Sequence, residues 1–336
     1  MAEPLLTVED LRVQFRTDHG VVKAADGVSF SVFPDEVLGI VGESGSGKTV
    51  TALSVLRLLP PTARVTGRVT FGGRDMLALP AAELRAIRGD RVGLIFQDAL
   101  AALNPLHRVG KQIAEAVRVH HHGTSRDDAW KRAVELLGLV GIPTPEERAR
   151  QYPHEFSGGM RQRAMIAMAI ANDPDVLIAD EPTPALDVTT QAQILELLKD
   201  VRRRTRSALI LITHDFGVIA GVADRVLVMY AGKVVESGTV DEVLLRPAHP
   251  YTRGLIASMP RVAQETRHLV RIAGQPPSLV DVPAGCPFHP RCPHARTPDP
   301  CAGAVPQLLP TPGGGHAVAC HLSDELADPL AELGTA

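Results

Sequence analysis

An octapeptide close to the N-terminus constrains the fold of this chain more than any other feature. Residues 42–49 read GESGSGKT, after the apolar run Val37–Val41 and before a helix that the sequence predicts from Lys48 to Leu59. A glycine-rich loop in this context is typical of P-loop nucleotide-binding proteins, because its backbone N–H groups and the positive end of the helix bind phosphate. A flexible glycine turn is the alternative, and it requires a chance match to the whole motif. The sequence therefore predicts a phosphate-binding loop in an α/β fold.

The residues of this loop, called the P-loop below, have distinct expected roles. The Lys48 ammonium would reach the β and γ phosphates of a nucleotide, and the Thr49 hydroxyl would ligate Mg²⁺. The residues expected to contact the nucleotide are Gly42, Glu43, Ser44, Gly45, Ser46, Gly47, Lys48 and Thr49. Phe15 alternates with Leu11 and Val13 in a predicted strand, a pattern that allows either a core position or stacking on an adenine ring.

Two adjacent carboxylates mark a second candidate site. Asp180 and Glu181 follow the apolar run Val176–Ala179, at the end of a predicted buried strand where ligands bind in α/β proteins. Asp180 would hold Mg²⁺, directly or through water, and Glu181 would accept a proton from the water that attacks the γ-phosphate. An acidic cap of the strand is the alternative. The pair matters because a P-loop alone does not separate kinases, GTPases and transport ATPases.

The distribution of apolar residues predicts an α/β P-loop NTPase with three additions. An antiparallel β subdomain is expected within residues 5–40, a helical subdomain at about residues 98–160, and an extension rich in proline and glycine near the C-terminus. The predicted boundaries are a nucleotide-binding domain of residues 1–260 and a C-terminal extension of residues 261–336. A hairpin is expected where Ala231 and Gly232 separate two apolar segments.

Composition and charge exclude several classes of protein. The formal net charge is −3, which argues against a nucleic-acid-binding protein because such proteins usually carry a basic surface. We find no apolar run of the roughly 18 to 20 residues that a membrane helix needs, and residues 1–11 include three acidic side chains where a signal peptide would be basic and then apolar. The sequence alone therefore predicts neither export nor a membrane span.

Several short motifs in a fixed order make the chain resemble the ATP-binding cassette (ABC) family. The segment Phe156–Gln162, FSGGMRQ, resembles the signature loop of that family and precedes a helix predicted at Arg163–Ala171. Ser157, Gly158 and Gly159 would form an anion cradle there. The resemblance implies that this cradle contacts the γ-phosphate bound to a partner subunit in a head-to-tail dimer. A simple capped helix start is compatible with the same residues.

Further roles follow from the same resemblance. Gln97 matches the Q-loop glutamine that senses Mg²⁺ and the attacking water, and His214 matches the switch histidine that contacts the γ-phosphate. Residues Pro184–Asp187 resemble the D-loop. The expected catalytic residues are Glu181, His214 and Gln97, and the expected Mg²⁺ ligands are Thr49, Gln97 and Asp180.

The C-terminal region indicates which group of ABC proteins the chain resembles. Segments such as His249–Leu255 and Cys286–Cys292 resemble the extension of oligopeptide and dipeptide importer ATPases. The resemblance implies a subunit at the cytoplasmic membrane face that works with a second ATPase subunit, two permeases and an extracytoplasmic substrate-binding protein. Nickel, opines or sugars remain alternative solutes. A soluble ABC protein of DNA repair or translation would predict a coiled-coil insertion, duplicated cassettes or a basic groove, and the sequence contains none of these.

The four cysteines are confined to this extension, which favours a metal site over disulfides in a cytosolic chain. Cys286, Cys292, Cys301 and Cys320 have the spacing C-x5-C-x8-C-x18-C, without the C-x2-C pair typical of zinc knuckles. Four thiolates suit a [4Fe–4S] cluster, and the resemblance implies one because some relatives carry it. Zinc, or free or disulfide-bonded cysteines, remain alternatives. Mixed ligation would draw on His289, His294, His316 and His321.

Overall fold

The computed structural model describes residues 3–183, 187–259, 272–311 and 314–326. Within these residues the strands are β1 (Leu6–Thr17), β2 (Gly20–Val32), β3 (Val37–Val41), β4 (Ala63–Phe71), β5 (Arg74–Asp75), β6 (Val92–Ile95), β7 (Val176–Asp180), β8 (Ala208–Thr213), β9 (Arg225–Tyr230), β10 (Lys233–Thr239), β11 (Leu309–Pro310) and β12 (Ala317–Val318).

The helices lie between and after these strands. They are α1 (Lys48–Val55), α2 (Ala81–Ile87), α3 (Ala99–Ala102), α4 (Val109–His120), α5 (Arg126–Leu139), α6 (Pro145–Ala149), α7 (Gly158–Ala169), α8 (Val188–Thr205), α9 (Phe216–Ala220), α10 (Val240–Leu245) and α11 (Pro250–Ala257), with 3₁₀ helices at Pro153–Glu155 and His289–Arg291. In the described part of the chain, no helix is both long enough and apolar enough to cross a bilayer.

The chain clusters into two compact units, each assembled from several segments. The first unit contains residues 1–6, 32–37 and 71–212, and the second contains residues 7–31, 38–70 and 213–336. The C-terminal extension therefore belongs to the same unit as the P-loop.

Parallel strands and helices form the first unit. β7 lies between β6 and β8, with Ile95 opposite Ala179 and Asp180 opposite Ile212. Every residue of β7 and β8 is buried, as expected for parallel strands covered on both faces. Residues 98–160 contain helices and turns and no strand, so the predicted helical insertion is confirmed.

The second unit contains the P-loop strand and the extension. β3 runs parallel to β9, and β9 and β10 form the predicted hairpin. Its turn residues Ala231 and Gly232 both have positive φ, at 47° and 79°, which is the backbone conformation that tight hairpin turns require. β12 of the extension pairs antiparallel with β10, and β1 lies between β2 and β4 in a separate sheet.

Two predicted helix boundaries are wrong. The helix after the P-loop ends at Val55 and not at Leu59, because Arg57 has a left-handed backbone with φ of 50° and prolines follow at positions 60 and 61. The helix predicted at Arg163–Ala171 begins at Gly158 and ends at Ala169, because the Ser157 side chain caps its first turn.

Candidate nucleotide-binding and cysteine sites

The P-loop connects β3 to α1 in the second unit. Gly47, just before α1, has φ of 100°, and a Cβ there would lie 2.1 Å from the Ala24 carbonyl oxygen. A side chain at this position would therefore displace backbone. A Cβ at Gly42 would lie 2.2 Å from the carbonyl oxygen of Met229. These glycines let the loop wrap closely against its neighbours.

The side chains of the P-loop divide into buried and exposed groups. The Lys48 ammonium is buried within the loop and donates hydrogen bonds to the carbonyl oxygens of Gly42, at 2.8 Å, and Glu43, at 2.9 Å. Ser44 and Gly45 are exposed, and Glu43 and Thr49 are half-buried. The Ser46 hydroxyl is buried and has no hydrogen-bond partner among the described residues. The loop thus presents a cation and a buried hydroxyl, both suited to phosphate oxygens.

A residue that the sequence analysis missed supports this loop from β2. The Asp26 N–H donates to the Gly232 carbonyl at 2.8 Å, and the Gly232 N–H donates to the Ser46 carbonyl at 3.0 Å. The Asp26 carboxylate pairs with Arg12 and, at 2.8 Å, with Lys233. Burial alone would raise the pKa of Asp26, but the hydrogen bond and charge of Lys233, together with the charge of Arg12, outweigh burial and lower it.

The two predicted acidic residues lie at the end of β7 in the first unit. Asp180 is 4% exposed, and Glu181 has a left-handed backbone with φ of 43°. This conformation is unusual for a residue with a side chain and often marks a functional site. The Glu181 N–H donates to the Ile212 carbonyl at 2.9 Å, and the Gln97 amide donates from Nε2 to Glu181 Oε2 at 2.9 Å. The structure therefore brings the predicted base and the predicted Q-loop glutamine together.

The signature segment begins α7 in the first unit. The Ser157 hydroxyl accepts a hydrogen bond from the Met160 N–H at 3.3 Å, as a helix N-cap does. Ser157 and Gly158 are exposed, and a Cβ built at Gly158 would have no heavy atom within 4 Å. The start of α7 is therefore open to a ligand on its outer side.

The remaining predicted residues lie on separate elements. Phe15 is half-buried on β1, whereas Leu11 and Val13 of the same strand are fully buried. His214 is exposed just after β8. Asp187 caps α8 by accepting hydrogen bonds from the N–H and hydroxyl groups of Thr190, and these hydrogen bonds lower its pKa. Residues 184–186 of the predicted D-loop lie outside the described residues.

A cluster of aromatic and charged side chains contacts the P-loop within the second unit. The Tyr230, Tyr251 and Phe288 rings pack with centroid distances between 4.6 and 5.4 Å. The Glu43 N–H donates to the Tyr251 hydroxyl, and Arg291 forms a two-pronged ion pair with the Glu43 carboxylate. The sequence analysis assigned no role to Tyr230, Tyr251 or Arg291.

The four cysteines come together in the extension. Cys286, Cys292, Cys301 and Cys320 all line one small cavity, together with side chains that include His249, Phe288, His289 and His321. The imidazole Nδ1 of His249 accepts a hydrogen bond from the Tyr251 N–H at 3.0 Å, and burial lowers the pKa of His249 to about 4. His316 lies elsewhere and pairs with the buried Glu236 at 2.7 Å.

Each cysteine sulfur also accepts a backbone N–H. The donors are Phe288 to Cys286, His294 to Cys292, Arg296 to Cys301 at 3.4 Å and Leu322 to Cys320 at 3.4 Å. Burial is nevertheless the larger influence, and it raises the pKa of Cys286 and of Cys292 to about 11. The Cys286 and Cys292 thiols of the metal-free chain are therefore protonated at neutral pH.

The structure does not support the expectation of a metal centre. Across the described ranges, no three cysteine, histidine, aspartate or glutamate side chains are arranged to hold a single metal ion. The structure shows four sulfurs around a common cavity, and it does not show a preformed site for one ion.

Comparisons with known proteins agree with this fold and these motifs. Residues 25–184 match a family model described as "ABC transporter", and residues 235–301 match one described as "Oligopeptide/dipeptide transporter, C-terminal region". A solved dimeric structure of the ATP-binding cassette MJ0796, in a post-hydrolysis state with ADP and Pi, aligns with a TM-score of 0.63 and 28% identity over 70% of this chain and 98% of its own. Fold and motifs together define an ABC-type ATPase.

Whole-chain relatives make the assignment more specific. The dipeptide transport ATP-binding protein DppD of Bacillus subtilis is 50% identical and the match covers 97% of each chain. The oligopeptide transport ATP-binding protein OppD of Salmonella typhimurium is 48% identical over 93% of this chain and 92% of its own. The chain belongs to the oligopeptide/dipeptide transporter family of ABC ATP-binding proteins.

Proposed function

We propose that this chain is the ATP-hydrolysing subunit of an ABC importer for oligopeptides or dipeptides. The observation that carries the ATPase part is the 2.9 Å hydrogen bond between the Gln97 amide and the Glu181 carboxylate at the end of a buried strand. This contact orients a carboxylate where the family places its general base. The peptide part is supported by relatives of about 50% identity whose names specify peptide transport.

The proposed chemistry divides among residues of this chain. Lys48 and the P-loop N–H groups would bind the β and γ phosphates, and Thr49, Gln97 and Asp180 would hold Mg²⁺. Glu181 would take a proton from the attacking water, and His214 would contact the γ-phosphate. Phe15 is available for the adenine ring because it is more exposed than the core residues of the same strand.

The proposed assembly is a dimer of ATPase subunits bound to two permeases at the cytoplasmic face of the membrane. In this arrangement Ser157, Gly158 and Gly159 would cover the γ-phosphate held by the partner subunit. The exposed start of α7 supports this role, because within the first unit nothing fills the space in front of Gly158. A substrate-binding protein outside the membrane would deliver the solute.

The replacement Glu181→Gln tests the hydrolysis proposal. We expect MgATP binding to be retained and hydrolysis in the complete transporter to fall at least about 10²-fold, because the amide cannot accept the proton. Glu196→Gln is the matched control, since Glu196 is an exposed glutamate of α8 that pairs with Lys199 on the surface. Wild-type turnover by Glu181→Gln would show that Glu181 is not the base.

We further propose that the four cysteines hold a [4Fe–4S] cluster. The convergence of all four sulfurs on one cavity, each with a backbone N–H donor, supports a centre with thiolate ligands. The buried His249 lines the same cavity.

Four thiolates suit a [4Fe–4S] cluster, and zinc is the alternative metal. A tetrahedral Zn²⁺ site requires each pair of sulfurs to lie about 3.8 Å apart, since each Zn–S bond is about 2.3 Å. Among the described side chains, no group is arranged to hold a single ion. When bound, a cluster of this kind supplies one-electron redox chemistry or structural cross-linking of the loops that carry its ligands.

A further inference from the structure

In the described part of the C-terminal extension, Arg291 contacts the P-loop. Arg291 ends the 3₁₀ helix His289–Arg291 and immediately precedes Cys292. Its Nη1 lies 2.7 Å from Glu43 Oε2, and its Nη2 lies 3.1 Å from Glu43 Oε1. The Arg291 side chain is 6% exposed and that of Glu43 is 26% exposed, so this two-pronged pair is shielded from water and stronger than a surface ion pair.

Other contacts fix the guanidinium of Arg291 in place. Its Nε donates to the Ala273 carbonyl at 3.0 Å, and Nη1 also donates to the Tyr230 hydroxyl at 3.3 Å. The guanidinium carbon lies 5.8 Å from the centre of the Tyr230 ring and 5.9 Å from that of Phe288. Because four of its five N–H donors are engaged and two aromatic rings lie near its planar group, the position of Arg291 depends on how the extension is folded.

Glu43 is held from three directions. Its carboxylate pairs with Arg291, its N–H donates to the Tyr251 hydroxyl at 2.8 Å, and its carbonyl accepts a hydrogen bond from Lys48 Nζ at 2.9 Å. The last contact matters most, because Lys48 is the P-loop lysine. A displacement of Glu43 would therefore change the position of the ammonium that binds the nucleotide phosphates.

We infer that Arg291 is a positioning residue for the P-loop, and that it makes nucleotide affinity depend on the fold of the four-cysteine extension. The ion pair holds Glu43 and, through it, Lys48 in the arrangement that receives phosphate. Any change that disorders the loop around Cys286 and Cys292 would release Arg291 and weaken ATP binding. This inference rests on the proposed function in one respect, namely that the P-loop binds MgATP.

A double-mutant cycle tests the ion pair. The full-length variants Arg291→Gln, Glu43→Gln and the double replacement are compared for the dissociation constant of Mg²⁺ with a fluorescent ATP analogue, and for KM and kcat in the complete transporter. We expect each single replacement to raise the dissociation constant and KM about threefold to tenfold, with kcat changed less than about twofold. The double variant should bind the nucleotide about as tightly as the more weakly binding single variant, because both replacements remove the same interaction.

Arg296→Gln is the matched control. Arg296 is an arginine of the same extension that pairs with Glu325 on the surface, so its loss removes a charge and an ion pair without touching the P-loop. We expect nucleotide affinity to remain at the wild-type value. The accessibility of the cysteines to an alkylating reagent is measured in every variant, because it reports damage to the loop around Cys286 and Cys292. Glu43→Gln removes the same ion pair without changing a residue of the loop around Cys286 and Cys292, so it decides the question if Arg291→Gln damages that loop.

A third replacement tests the link to the cysteines. Cys292→Ser should raise the dissociation constant in the wild-type background and cause little further change in the Glu43→Gln background. Strictly additive effects of Arg291→Gln and Glu43→Gln, or wild-type affinity in both, would overturn the inference. A wild-type chain that fails to bind MgATP would instead overturn the proposed function.

Discussion

Asp26 shows how a single carboxylate far from any motif supports the P-loop. It joins three separate segments, because it pairs with Arg12 on β1 and Lys233 on β10 and its backbone bonds to the hairpin turn that holds Ser46. Its pKa is lowered, so the ionised form is favoured in the folded chain. The ion pairs therefore stabilise the fold wherever Asp26 is charged.

The replacement Asp26→Asn should lower the free energy of unfolding by about 1 kcal/mol at pH 7, given that the carboxylate is largely shielded. A folded-state pKa below the usual 3.8 means that this contribution is complete above pH 3.8 and lost as pH falls through the folded pKa. Denaturant unfolding of both proteins between pH 7 and pH 3 measures the difference. Asp18→Asn, in the exposed turn between β1 and β2, is the control. If Asp26→Asn lowers the free energy of unfolding by the same amount at pH 7 and at pH 3, that result would contradict an ionic origin.

Residues of the ATP site were predictable where their role depends on neighbours in sequence. The P-loop and the acidic pair after β7 are short motifs beside apolar strands, so spacing alone locates Lys48 and Glu181. Arg291 is different, because its partner Glu43 lies 248 positions away. Asp26 and Tyr251 also act through long-range contacts, and nothing in the adjacent sequence indicates those partners.

Among the elements, α7 carries the most specific functional expectation. Its first residues are exposed and capped by Ser157, and the space beyond Gly158 is open. This geometry suits a helix start that acts on a nucleotide held by another subunit.

The replacement Gly158→Asp should therefore prevent ATP-dependent dimerisation while leaving the affinity of the monomer for MgATP within about twofold of the wild type. The added carboxylate would face a γ-phosphate only in the dimer, and like charges repel at short range. Gly123→Asp adds the same charge at another glycine whose Cβ would meet no heavy atom within 4 Å. Light scattering with and without MgATP measures dimerisation. An equal loss of monomer affinity would place the signature loop at the nucleotide of its own subunit.

Periodicity predicted elements better than it predicted their ends. The buried strand β3 and the β9–β10 hairpin agree with the sequence, because apolar runs and an Ala-Gly turn determine them locally. The start of α7 was predicted five residues too late, since two glycines are poor helix formers and the Ser157 cap compensates for them. The left-handed backbone at Arg57, which ends α1, leaves no signal in residue type.

At the scale of the whole molecule, the loop around Cys286 and Cys292 should depend on the proposed metal centre more than the nucleotide-binding core does. We expect anaerobically purified protein to be brown, with broad absorbance near about 400 nm from thiolate-to-iron charge transfer. Cys292→Ser should remove the colour and increase proteolysis of the extension, without abolishing ATP binding, because a metal centre closes loops that are poor in regular structure.

Iron and zinc analysis of the same preparation decides between the metals. A colourless anaerobic protein with stoichiometric zinc would exclude the cluster and retain a metal site. Four freely alkylated cysteines in folded, metal-free protein would exclude both. The sequence predicted that the cysteines converge, but it contained no information on the N–H donors or on His249.

The pairing of β12 with β10 has a consequence for solubility. β12 occupies the backbone groups along one side of β10, and His316 beside it supplies a partner for Glu236, whose side chain is fully buried. A chain shortened before the extension would expose a hydrogen-bonding strand edge and leave a buried carboxylate without its imidazole. Unpaired edges recruit strands from other molecules. Such a fragment would therefore tend to aggregate. In the full chain, the extension protects this strand edge from pairing with other copies.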